Sequence, residues 1–124
     1  MRIFVVMLVM LMLLACGNDG DQSRLPSQQW GDINITIEFR PIPLRQGMNE
    51  FMIVATNSDH LPAKDLVVSL RSKPDAPWQQ AIQDGNIGVY RRAVRLDSGD
   101  QTLYVYLRDR LEERVLEFPV SVSR

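Results

Sequence analysis

Between residues 33 and 39 the chain reads INITIEF, and this strict alternation of apolar and polar side chains admits one local structure. In an extended strand successive side chains point to opposite faces. Ile33, Ile35, Ile37 and Phe39 therefore share one face, and Asn34, Thr36 and Glu38 share the other. A strand with one oily face needs a second layer to cover it, and the pattern recurs often enough to supply one. Glu50 to Thr56 is β-rich and almost continuously apolar, and Asp65 to Arg71 sends Leu66, Val68 and Leu70 inward. Trp78 to Gln83 predicts a short strand. Gly88 to Leu96 places Tyr90, Arg92, Val94 and Leu96 on one face and Arg91 and Arg95 on the solvated one. Gln101 to Arg108 turns Leu103, Val105 and Leu107 inward and Tyr104 and Tyr106 outward, and Val115 to Val122 is the last strand.

Turn chemistry separates these segments. Pro41-Ile42-Pro43 ends the first strand, because proline cannot donate to a ladder. Gln46-Gly47, Asn57–Pro62, Asp84-Gly85-Asn86 and Asp97–Asp100 are turns, and the two prolines of Ser72–Pro77 break the third strand. Asp109–Glu113 is a charged hairpin end or a single helical turn. Seven short strands at even spacing, with no convincing helix, predict an all-β, immunoglobulin-like antiparallel β-sandwich over residues 33–124. That span of 92 residues is close to the roughly 100 of such a domain. The chain has one cysteine, so no internal disulfide is available and the Cys…Trp…Cys pattern of antibody domains is excluded.

The cysteine belongs to the opposite end of the argument. After Met1 and Arg2, Ile3 to Leu14 is an unbroken apolar run of twelve residues, short of the roughly 20 that span a bilayer. A charged start, a short oily run and small residues at its end fit a secretory signal peptide over residues 1–15. Leu13-Leu14-Ala15-Cys16 resembles the bacterial lipobox, which implies cleavage before Cys16 and lipidation of its sulfur. Two or more acyl chains hold a protein on a bilayer, at about 0.8 kcal/mol per buried methylene. Gly17 stands where many enteric lipoproteins carry an inner-membrane retention aspartate, so the resemblance favours the outer membrane. Residues 16–32 read as a polar tether with a span on the order of 20–25 Å. Trp30 is its exception, placed to pack on the first strand or at the membrane interface.

Removing residues 1–15 takes away one arginine and no acid, so the net charge of −1 becomes −2 and carries no nucleic-acid footprint. His60 is the one histidine, in the Asn57–Pro62 turn beside Asp59, and no G-x-S-x-G segment supplies a nucleophile for it. The chain reads as non-catalytic. Copper is the metal to weigh, since thioether and imidazole both suit it. Met48 and Met52 share strand parity, and His60 approaches Met52 if the second and third strands pair. Methionine is also a frequent filler of β cores. A partner surface is the other candidate: Tyr104 and Tyr106 meet Arg91 and Arg95 if the fifth and sixth strands pair, and Tyr and Arg are enriched at interface hot spots. Glu112-Glu113 reads as a solvated loop.

Several phrases line up in order: Gly47-Met48-Asn49-Glu50-Phe51, Pro62-Ala63, Gly88-Val89-Tyr90 and Phe118-Pro119-Val120-Ser121-Val122. Over most of residues 33–122 the chain resembles the YtkA-like and FixH-like group of bacterial envelope domains. The resemblance implies a sandwich on the periplasmic side of the membrane, associated with respiratory oxidase maturation or heavy-metal transport. Many relatives carry Met-Pro-x-Met between the third and fifth strands; this chain reads RSKPDAPW at 71–78, with neither Met nor His. The expected function is a non-catalytic, lipid-anchored periplasmic module that holds an envelope protein and needs no cofactor, with a copper-binding accessory protein using Met48, Met52 and His60 as the alternative.

Overall fold

Ile35, Ile37 and Phe39 do lie on one buried face, and what covers them is a second sheet. The computed structural model describes residues 23–123. Its strands are β1 (Gln28–Trp30), β2 (Ile33–Arg40), β3 (Gly47–Thr56), β4 (Val67–Arg71), β5 (Gln79–Gln80), β6 (Ile82–Gln83), β7 (Val89–Leu96), β8 (Thr102–Arg108) and β9 (Glu113–Pro119). They form a five-stranded sheet in the order β1-β2-β3-β7-β6 and a four-stranded sheet in the order β5-β4-β8-β9, with every ladder antiparallel. Without β1, these orders are the A-B-E-D and C′-C-F-G arrangement of an immunoglobulin-like sandwich.

The core is the sum of the inward parities. Ile35, Ile37, Phe51, Ile53, Leu70, Leu96, Leu103, Val105, Leu107 and Phe118 are all fully buried between the sheets. Each such side chain contributes about 1.5–3 kcal/mol on leaving water, which is how a domain without a disulfide holds together.

Four expectations change. The structure has nine strands where seven were expected, and the two extra ones are segments of two or three residues, too short to show an alternation. Trp78–Gln83 is not one strand. It splits at buried Ala81, whose N–H donates to the Val68 carbonyl at 2.7 Å, so that β5 joins β4 and β6 joins β7. Nor does the tether reach residue 32. Gln28–Trp30 pairs with β2, Trp30 is buried in the core, and the Gln28 side-chain amide donates to the Glu117 carbonyl at 2.6 Å. Arg92, expected inward, is exposed at the sheet margin, where its Nε donates to Gln79 Oε1. The last strand stops at Pro119, although Val120 still donates to the Gln101 carbonyl. Asp109–Glu112 closes as a hairpin, with no helical turn. The signal peptide, the lipobox and Cys16 lie outside the described residues.

Candidate functional site

Gly47–Phe51, Pro62-Ala63 and Gly88–Tyr90 are joints of the fold. Gly47 takes a φ of +105°, and two residues on Asn49 is buried. Its amide accepts from the Arg45 N–H and donates to the Arg45 and Gly47 carbonyls, which fixes the entry into β3. Tyr90 is buried with its hydroxyl donating to the Ala63 carbonyl at 2.8 Å and accepting from the Leu66 N–H at 3.2 Å. Burial pushes its phenol pKa up. Tyr90 thereby staples β7 to the loop between β3 and β4 at two points. Gly88 is required beside it: φ is +73°, and a Cβ there would meet the Ala55 carbonyl oxygen at 2.6 Å. These residues build the scaffold.

The proposed metal ligands are not brought together. Met48 and Met52 are four residues apart on the outer face of β3, about 13 Å along a strand. His60 lies beyond the end of β3, and β4, which follows it, belongs to the other sheet. The Met52 sulfur is already flanked by the guanidinium groups of Arg40 and Arg91, both of which donate toward it. Cationic neighbours oppose a copper ion at that sulfur. His60 itself is a turn residue at φ +61°, with its N–H on the Asn57 carbonyl.

The partner-surface residues are also divided. Arg91 and Arg95 stand on β7 in the five-stranded sheet, while Tyr104 and Tyr106 stand on β8 in the other, so the expected pairing of those strands does not occur. Arg91 faces Glu50 at 3.0 Å and Asp84 at 2.7 Å, and these two carboxylates raise its pKa further.

Tyr104 and Tyr106 find different company. Their partners across β4 are Arg71 and Ser69. Trp78, immediately before β5, folds over the same ground. The Arg71 guanidinium carbon sits 4.0 Å from the Trp78 ring centroid and 5.8 Å from that of Tyr104. Trp78 and Tyr106 rings are 5.8 Å apart and tilted by 50°. Arg71 makes one long hydrogen bond, from Nη1 to the Ala76 carbonyl at 3.5 Å, and its buried Nε has no partner. Among the described residues no carboxylate forms an ion pair with it. Tyr106 is tied down through its hydroxyl, which donates to Glu113 Oε2 at 2.6 Å; that bond raises the phenol pKa, with desolvation adding to it. Exposed Val115, opposite Tyr106 on β9, extends the apolar ground.

The outcome is a cation close over the Trp78 ring, with Tyr104 further off, on the outer face of the sheet. Such a guanidinium is weakly hydrated, preoriented and able to receive a planar anion, and the rings beside it offer large area at low entropy cost. Trp78 and Arg71 were missed in the sequence because they flank a proline-rich breaker. The signal that finds them is an arginine at outward parity in the third strand. Comparisons of the chain with protein-family models, with curated proteins and with solved structures found no match.

Proposed function

We propose that this chain is a non-catalytic, lipid-anchored interaction module of the bacterial envelope, fixed to the membrane through Cys16 and holding a partner protein on the outer face of the four-stranded sheet. The observation that carries the reading is Arg71: a guanidinium over the Trp78 ring and near Tyr104, with no carboxylate paired to it among the described residues. An anionic partner group that reaches the accessible part of this guanidinium gains charge-assisted hydrogen bonds that the isolated domain does not supply. The lipobox resemblance at residues 13–16 and the envelope-domain resemblance over residues 33–122 support an exported, periplasm-facing location, with the outer membrane favoured by Gly17. The same resemblance supports a respiratory or transport complex of the membrane as the assembly it serves.

The test uses the full chain in its native cell. A photo-crosslinking amino acid at Val115, beside the cluster, should give a discrete adduct that disappears in the Arg71→Met background. The same probe at Thr36, on the outer face of the five-stranded sheet, should give none. Equal adducts from both positions, or an adduct indifferent to Arg71→Met, would overturn the reading.

A further inference from the structure

Three loops meet at the end of the sandwich where β2 begins: residues 57–66 between β3 and β4, 84–88 between β6 and β7, and 109–112 between β8 and β9. Each carries one bare aliphatic side chain. Leu61 is 57% exposed, Ile87 60% and Leu111 94%. The loops touch. Gly88 lies so close to Pro62 that an added Cβ would meet the Pro62 Cβ at 3.0 Å, and residues 62–66 share a cavity of about 430 Å³ with Asp109, Arg110 and Leu111.

Two of the tips are stiffened by the same device. The Leu61 N–H donates to Asn57 Oδ1 at 3.0 Å, and the Leu111 N–H donates to Asp109 Oδ1 at 2.7 Å. A turn that serves only to reverse the chain has no need of an aliphatic residue at its crest. Leucines presented on side-chain-braced turns lose little freedom when covered, which is what a preorganised docking surface requires.

The occupant follows from where the chain enters and from charge. Ser23 is at the other end of the molecule: its carbonyl accepts from Phe39 N–H, and Arg24 bridges to Glu38. From Cys16 to Ser23 the chain reaches at most about 25 Å even when fully extended. A domain tethered there, on the lipid-anchor reading above, turns its loop tips away from its own bilayer. The rim is also acidic. Asp84 is engaged by Arg91, but Asp59, Asp65, Asp109 and Glu112 remain against Lys64 and Arg110. Such a rim disfavours an anionic lipid surface and suits a cationic one.

We propose that Leu61, Ile87 and Leu111 form a membrane-distal docking surface for a second protein, one that presents an apolar segment flanked by basic side chains. The test pans a library of random twelve-residue peptides against the full lipidated chain in nanodiscs, with the triple variant Leu61→Ser, Ile87→Ser, Leu111→Ser as counter-target. Enriched peptides should combine apolar runs with Lys or Arg, and should bind the triple variant at least ~10-fold more weakly, a difference of about 1.4 kcal/mol. Their affinity should be unchanged by Trp78→Ala, which separates this surface from the sheet face proposed above. Unchanged unfolding temperature in the triple variant shows that the fold is intact. Peptides that bind both targets equally, or that lose affinity only in Trp78→Ala, would overturn the proposal. So would a blue shift of an environment-sensitive label at Leu111→Cys on adding phosphatidylglycerol-containing vesicles, since the tips would then take lipid.

Discussion

On the outer face of the five-stranded sheet, charge answers charge: Arg91 lies between Glu50 and Asp84, and Arg24 reaches Glu38. On the outer face of the four-stranded sheet, Arg71 lies over Trp78 and near Tyr104 and meets no carboxylate among the described residues. Both faces use arginine on a central strand beside bulky neighbours, and they differ in whether the cation's demands are met from within. A face that neutralises itself in water has little to gain from a partner. A face that keeps a guanidinium without a carboxylate has something to gain, and that difference is visible before any partner is known.

The comparison can be broken most forcefully at Trp78. Replacing it by Ala strips the cover from Arg71 and from Tyr106, and should cost about 2 kcal/mol, less than a fully buried indole because the ring is half-exposed. Urea unfolding measures it; a midpoint shift no larger than that of a surface control would mean the cluster is not packed. A smaller effect belongs to Tyr106. Glu113 holds its hydroxyl and keeps its pKa above the ordinary value near 10, so the stabilisation is complete below that pH and is lost as pH rises through the raised folded value. Absorbance titration should show two tyrosines, Tyr90 and Tyr106, ionising late, and Glu113→Gln should lower one of them and leave the other in place. The smallest effect is expected on the self-neutralised face. Arg91→Met should barely move the unfolding midpoint, and the difference should fade further in high salt, because exposed ion pairs are screened. A large loss there would erase the distinction between the faces.

Strand parity made much of this legible in advance. Ile35, Ile37, Leu103, Val105 and Leu107 are buried as their alternation requires, and Tyr104 and Tyr106 point outward as expected. Parity says which face of its own strand a residue occupies, and nothing about which strand stands beside it. Arg91 and Arg95 were therefore joined to the tyrosines on the reasonable ground that β7 and β8 are consecutive, yet the chain crosses between sheets at that connection. Likewise Met52 and His60 depended on β3 and β4 pairing, and they do not. The sheet change at Ala81 and the strand Gln28–Trp30 were hidden for a related reason: two or three residues carry no period, and it is pairing with a longer neighbouring strand that holds them extended.

The segment before β2 has a mechanical meaning. From Ser23 to Trp30 the chain runs alongside β2, with the Leu25 N–H on the Ile37 carbonyl, the Phe39 N–H on the Ser23 carbonyl, and Trp30 seated in the core at the far end. Tension applied at Ser23 along the strand axis loads these bonds together, in shear, and draws on Trp30 as a peg; tension across the axis would open them one at a time. A pull from the N-terminal side is thus spread along the length of β2 instead of falling on one bond at a time.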